Sequence, residues 1–421
     1  MKPLHWSAAP DGLQPVQRAN FLNVQLDALG VGLAAGAAPF LAVFLVRLGA
    51  SNTQVGLITA MPAVTGFLLA IIAGQYLNRQ RNIVRWLSAS RLIALLAYTV
   101  IGLVPFISPP SIWIPSILAI WAASTLPSLL VNISFNVVMN AVAGPRLRYE
   151  LLSRRWSVVG LTTAVAVAFA GQMLDIIPFP VNYQSVFVLF SLGGVISYVY
   201  ARRIRLPEQA PAGAGDKDVP GMRLGPIVQE VRANPAFSSF VAIRFVYFLG
   251  STLSLPIFPL FYVRVAGITD AWIGLITTVQ TATMLVGYRL WTQESRARGS
   301  RFVLLSTTLG LSLYPLLVSL TRSAPVIATV VGVAGVFQAG LDLVFFDELM
   351  KTIPEGQSAM LVSIALSVQY LATIVAPLVG TLLAGRIGIA TTLVISSLLR
   401  FTAFLLFALT SRQLSRRFRS S

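Results

Sequence analysis

Two carboxylates lie far inside apolar sequence. Asp27 sits in "NVQLDALGVGLAAGAAPFLAVFLV" and Asp342 in "VFQAGLDLVFF". A charge within a stretch long enough to cross a membrane costs about 2.5–3.5 kcal/mol on insertion scales, so it marks a function or a buried partner. Arg91, Arg244, Arg289 and Arg400 raise the same question with the opposite sign. Asp342 follows Gln338 by four residues, which sets the two on one helical face. A carboxyl whose access to water alternates can take up and release a proton, so Asp27 and Asp342 are candidates for coupling. The plainer alternative for Asp342 is a packing carboxyl bonded to a neighbour. Asp347 and Glu348 lie nearer a boundary and read as solvated charge.

A second polar pattern is the row Ser124, Ser128, Asn132, Asn136 and Asn140. Four-residue steps keep all five on one slowly drifting helical face. Such a strip needs either a water-filled cavity or a neighbouring helix held by hydrogen bonds. Gln280, Thr283, Tyr288, Trp291, Gln369 and Tyr370 mix hydrogen-bonding groups with rings, which suits an amphipathic organic solute. Aromatic residues at helical spacing also serve packing. Arg289 can snorkel to an interface. Arg91 and Arg400 read as structural pairs, with no partner legible in the sequence.

These residues must be held by membrane-spanning helices. The chain has 421 residues, 56% hydrophobic and 11% charged, with a mean hydropathy of +0.78. Soluble domains carry about a quarter charged residues. There are no cysteines, and the one histidine is His5. Disulfides, thiolate metal sites and histidine chemistry within the bilayer are therefore excluded. No phosphate loop of the G-x-x-x-x-G-K-[ST] type occurs, so nothing here points to ATP. We expect no metal and no cofactor.

Hydropathy and Gly/Pro punctuation predict an all-α, polytopic membrane protein of twelve transmembrane helices. They cover 20–46, 54–77, 85–107, 112–141, 154–176 and 183–202, then 236–263, 271–291, 301–321, 324–350, 358–383 and 389–410. Residues 1–19 form an N-terminal segment, 203–235 a linker rich in Pro, Gly and charge, and 411–421 a tail. A short amphipathic piece near Pro226–Arg232 is expected on the membrane surface. The net charge is +17. Most Lys and Arg fall on the face shared by both termini and the linker, whereas the opposite loops hold only Arg47, Arg264, Arg322 and Arg386. The positive-inside rule makes that basic face cytoplasmic. The charge is thus a topology signal and not a nucleic-acid signal.

The chain also repeats itself. "VRLGASNTQVGLIT" begins at Val46 and "VRVAGITDAWIGLIT" at Val263. Pro39 matches Pro256 and Arg47 matches Arg264 at a constant offset of about 217, and one residue is inserted before Gly56 matches Gly274. Six spans separate the copies, so both face the same side. The halves, 20–202 and 236–410, are parallel six-helix repeats. Pro39 and Pro256 are expected to bend their spans alike. Gly32 and Gly36 permit close helix approach.

At this level the chain resembles the major facilitator superfamily. The first cytoplasmic hairpin, "GQYLNRQRNIVRW", is similar to that family's signature loop at Gly74, Arg79, Arg81 and Arg85, with Asn78 at the position of its acid. "WTQESRARGSRF" keeps Arg296 and Arg298 of the second copy. "GPRLRYELLSRRW" and "IPEGQSAM" resemble the other cytoplasmic loops. The resemblance implies two pseudo-symmetric six-helix bundles that rock about a central site, lined by spans one, four and seven among others. Asp27 lies about seven residues into span one, roughly 10 Å deep, and the repeat offset maps it onto Arg244. We therefore expect Asp27 and Arg244 to pair across that site, or to hold opposite ends of a substrate, unless each pairs within its own bundle.

The resulting expectation is a monomeric secondary transporter of the plasma membrane, with both termini cytoplasmic. It moves a small organic solute by alternating access, driven by the solute gradient or by protons, with efflux preferred over uptake and proton-coupled efflux as one form of it. Candidate cavity residues are Asp27, Arg244, Asn132, Asn136, Gln280, Gln338 and Asp342. The gate-loop candidates are Gly74, Asn78, Arg79, Arg81 and Arg85. Partners are the solute, protons and the lipid bilayer. The alternatives are an intramembrane enzyme, for which no nucleophile set is present, and a non-transporting sensor or assembly factor of the same fold.

Overall fold

The computed structural model describes residues 15–206, 233–353 and 358–417. The expected surface helix at Pro226–Arg232, the segment before residue 15, the end of the tail and the side chain of Asn78 lie outside the described residues. Every regular element described is helical. The first half comprises α1 (Pro15–Ala35), α2 (Ala38–Arg47), α3 (Asn52–Asn78), α4 (Ile83–Ile107), α5 (Trp113–Ile176) and α6 (Val181–Arg202). The second comprises α7 (Pro235–Ser254), α8 (Ile257–Leu260), α9 (Asp270–Arg298), α10 (Ser300–Ser319), α11 (Ala324–Lys351), α12 (Ser358–Ile387) and α13 (Ile389–Arg417).

Among the described residues, 11 helical stretches are long and apolar enough to cross a membrane. Helix α9 has the length of the expected eighth span, but its threonines, Gln280 and charged C-terminal end make it too polar to join them. Large apolar side chains line the outside: Leu68 is 62% exposed, Val165 64% and Phe346 65%. Apolar surface on this scale requires lipid or a partner to cover it.

One expected boundary differs. Spans four and five were read as separate helices, yet helical hydrogen bonding continues unbroken from Trp113 to Ile176. The chain still doubles back, because the rings of Phe135 and Trp156 lie 6.4 Å apart. In a straight helix 21 residues would span ~31 Å. After Pro145 the sequence is rich in Leu, Arg and Glu, all good helix formers, so the turn itself stays helical.

By compactness the chain divides into Met1–Phe44 with Leu68–Asp216, and Leu45–Phe67 with Lys217–Ser421. In the first unit α1 packs on α5 and α6, and α4 packs on α5 and α6. Glycine allows the closest of these approaches. A Cβ on Gly30 would lie 2.5 Å from the Gly193 carbonyl oxygen and from the Ser197 nitrogen of α6. Gly32 lies against Thr162 and Gly36 against Ala166 on α5, as their spacing predicts. Phe21, Val24, Leu87, Val138 and Leu151 fill the core at one end. In the second unit α9 meets α11 through Gly335, whose Cβ would lie 2.5 Å from the Gln280 carbonyl oxygen. Helix α7 packs on α12 and α13 around Phe237, Tyr247, Phe345 and Phe407.

The repeat is visible in the backbone. The first span breaks between α1 and α2 just before Pro39, and the seventh between α7 and α8 at Pro256. Proline lacks the N–H that would continue the ladder and clashes with the carbonyl four residues back. Both copies then turn at a glycine with positive φ, Gly49 at 87° and Gly267 at 62°. The inserted residue of the second copy is absorbed by a π-helical turn, Phe261–Val265, the wider helix that accommodates one extra residue.

Candidate functional site

Asp27, on α1, is 1% exposed and is held by three other elements of the first unit. The guanidinium of Arg91 on α4 donates to Oδ1, as does the Ser197 hydroxyl of α6 at 2.6 Å. Arg155 on α5 donates to Oδ2 from 3.5 Å. Arg91 and Arg155 are themselves 4% and 3% exposed. One carboxylate thus faces two guanidiniums, leaving a buried charge of one positive unit. That surplus lies against aromatic faces: the Arg155 guanidinium is 4.4 Å from the Phe135 ring centre and 5.3 Å from that of Trp156. The close passage of α6 over Gly30, one turn from Asp27, delivers the Ser197 hydroxyl.

The expected pairing of Asp27 with Arg244 is not what the chain adopts. Each residue bonds within its own unit. The sequence left Arg91 without a partner, and that partner is Asp27. The offset relates two charges within spans but says nothing about which neighbour satisfies each.

Arg244 is half-buried on α7. Its Nη2 donates to the Gln369 side-chain oxygen on α12 at 3.0 Å. The guanidinium centre lies 5.0 Å from the Phe248 ring centre and 5.5 Å from that of Phe345. Its Nε and Nη1 are buried without a hydrogen-bond partner. Among the described residues no carboxylate comes within 4.0 Å of it. Arg400, 4% exposed on α13, is solvated by neutral oxygens instead. It donates to the carbonyls of Leu311 at 3.2 Å and Ser251 at 3.4 Å, and to the Ser254 hydroxyl at 2.6 Å.

Asp342 is exposed on α11 and accepts from Gln338 at 2.8 Å and from the Tyr288 hydroxyl of α9 at 3.2 Å. The structure thereby brings together three residues singled out in the sequence. Gln280 is half-buried about two turns before Tyr288 on α9, and its backbone makes the contact with Gly335. On α5, Ser124 and Ser128 bond back to the carbonyls of Trp121 and Ser124 at 2.7 and 2.8 Å. Asn132 and Asn136 are exposed, and Asn136 donates to the Asn132 carbonyl at 2.9 Å.

In the first hairpin Arg79, Arg81 and Arg85 are exposed. The Asn82 side chain caps α4 by accepting from the Arg85 backbone N–H at 3.0 Å. A Cβ at Gly74 would meet nothing within 4 Å.

The repeated phrase proves to be a reciprocal clasp, which sequence reasoning missed. Arg47 donates to the Ile268 carbonyl at 3.1 Å and to the Asp270 carboxylate at 2.9 Å. Arg264 donates to the Ala50 carbonyl and, at 2.6 Å, to the Asn52 side-chain oxygen. Ala50 corresponds to Ile268 and Asn52 to Asp270, so each copy's arginine grips the same two positions of the other. This is the self-complementary pattern of a two-fold contact. Each gripped residue sits at a helix start. There Ser51 and Gln54 form a reciprocal cap at 2.8 and 3.3 Å, and Thr269 caps α9. The legible signal was the Asn-to-Asp match at one inserted residue.

No family model matches the chain, and no curated protein matches it in sequence. Solved structures do. The nucleoside transporter NupG is similar with a TM-score of 0.70 at 11% identity, over 94% of this chain and 99% of that one. A bacterial homologue of the iron transporter ferroportin, in an inward-facing state, gives 0.69 at 18% identity, over 93% and 98%. A bacterial homologue of the human lysosomal transporter Spinster, also inward-facing, gives 0.67 at 15%, over 95% and 98%. The chain has the major facilitator fold.

Proposed function

We propose that this protein is a secondary transporter that moves a small organic solute by alternating access, with the Arg47 and Arg264 clasp as the breakable closure of one membrane face. The clasp carries the reading. Its two arginines are exposed and reach down onto buried or half-buried acceptors, Asp270 at 6% exposure among them. With one partner of the ion pair in water, its contribution stays at the ~0–1 kcal/mol of surface pairs, which is what a closure that must also open can hold. The fold shared with NupG and the ferroportin and Spinster homologues supports it. So do Asp342, Asn132 and Asn136, which are exposed on helices whose polar groups cannot face hydrocarbon. In this reading residues 20–202 and 236–410 are the two rocking repeats of a monomer in the plasma membrane, with cytoplasmic termini. Asp342, with Gln338 and Tyr288, is the proton-coupling group of an efflux carrier. Asp27 is a structural lock.

The chain has no cysteine, so a single Ala50→Cys reports on the clasp cleanly. In proteoliposomes a membrane-impermeant maleimide should label Ala50→Cys slowly, and several-fold faster once Arg47 and Arg264 are both alanine. Flux measured across a metabolite and drug panel should be saturable in the native chain. Asp270→Arg alone should depress it, and the added Arg47→Asp should restore it. Unchanged labelling together with no saturable flux would overturn the proposal in favour of a non-transporting scaffold.

A further inference from the structure

Arg91, Arg244 and Arg400 lie within the spans of this protein and differ in how they are satisfied. Arg91 shares the Asp27 carboxylate. Arg400 has no acid but is surrounded by three oxygen acceptors and is closed off at 4% exposure. Arg244 has neither. A guanidinium carries five N–H donors and a charge that does not titrate away. One neutral amide oxygen takes a single donor of Arg244. The hydrogen on Nε and the two on Nη1 point to no acceptor. Two aromatic faces stabilise the charge without accepting those hydrogens in the plane where a guanidinium binds best.

We infer that Arg244 is the anchor for an anionic group, a carboxylate or phosphate, on the transported solute, with Gln369 as its parking partner. The inference rests on the transport reading for its purpose, although anion binding itself is tested without flux. A planar guanidinium prefers a planar or tetrahedral oxyanion, whose two oxygens take parallel N–H bonds stronger than any neutral one. An arriving anion therefore competes well with the single Gln369 oxygen. Once released, the Gln369 amide can turn its own N–H groups toward the same anion. Arg244 as a whole is half-buried, in contrast to Arg400 at 4% exposure, while its Nε and Nη1 are covered, so an anion reaches them as the Gln369 amide turns aside. Phe248 and Phe345 provide an apolar wall beside the charge, which favours an amphipathic acid over a small inorganic ion. The Asp27 cluster does not compete for Arg244, because its carboxylate is already taken by two arginines and a serine.

Matched probes separate charge from shape: benzoate against benzamide, and phenyl phosphate against phenol, at equal ionic strength. With the purified full chain in detergent, benzoate or phenyl phosphate should raise the melting temperature in a saturable way, and the neutral twin should not. Arg244→Gln should weaken the anion's apparent affinity at least tenfold. Arg244→Lys, which keeps the charge but not the fork, should lie between. Gln369→Ala should weaken it less than Arg244→Gln. Equal responses to acid and amide, an unaltered response in Arg244→Gln, or no anion-dependent shift from either probe would overturn the proposal. Arg244→Lys serves the same purpose if Arg244→Gln does not fold. Saturable flux of a cationic or neutral solute that Arg244→Gln leaves intact would sink the anchor and spare the transport reading. Anion binding without flux would do the reverse.

Discussion

Asp27 and Arg244 occupy matching places in the two repeats and have opposite fates. Asp27 is 1% exposed and saturated by Arg91, Arg155 and Ser197, drawn from three other helices. Arg244 is half-buried and held by one amide oxygen and two rings. The first arrangement ties four spans into one body. The second leaves most of a charge unspent. Matching positions of the repeat thus carry opposite charges in different surroundings, one with its acceptor shared by three donors and the other with donors that meet no acceptor.

Replacing these residues tests the contrast directly. Asp27→Asn strands two buried guanidiniums, and breaking a buried pair by removing one partner costs about 3–5 kcal/mol. We expect a large drop in melting temperature in detergent or loss of folded protein. A variant as stable as the parent would mean that the cluster does not hold the unit together. Gly30→Ala examines the same cluster through packing. Its Cβ would meet the Gly193 carbonyl oxygen at 2.5 Å, and overpacking of this kind costs about 1–3 kcal/mol. A neutral Gly30→Ala would show that α1 and α6 can separate without consequence. Arg244→Gln removes one hydrogen bond from a charged donor, worth about 1.5–3 kcal/mol, but it also removes a guanidinium whose Nε and Nη1 are buried without partners, and the two effects offset. Its melting temperature should stay close to the parent's. A loss comparable with Asp27→Asn would turn Arg244 into a second structural lock and erase the contrast.

How much was legible in the sequence follows the range of each signal. Twelve-span patterning, the parallel repeat and the basic face are one-dimensional properties, set by run length, by an offset and by loop charge. Even the one shortfall, α9, was visible as threonines and Gln280 within an otherwise apolar run. Asp342 with Gln338 was readable because four residues make one helical turn. Tyr288 is legible in the sequence only as an aromatic hydrogen-bonding residue, and the packing of α9 on α11 brings its hydroxyl to Asp342. The helical link after Pro145 was not legible, because hydropathy marks where apolar runs stop and not where helical hydrogen bonding stops.

The sequence by itself determined that this chain is a bundle of lipid-crossing helices built from two copies of one unit, because hydrophobic length and repetition need no partner to be read. It also marked Asp27, Arg244 and Asp342 as costly, since any charge at that depth must be satisfied somewhere. Only the tertiary structure decided where. Arg91 and Arg155 reach Asp27 across intervals of 64 and 128 residues, and Arg47 reaches Asp270 across 223. No periodicity encodes such separations. Pairing of this kind depends on which helix faces meet, and those are set by small residues and crossing geometry once the whole unit has packed.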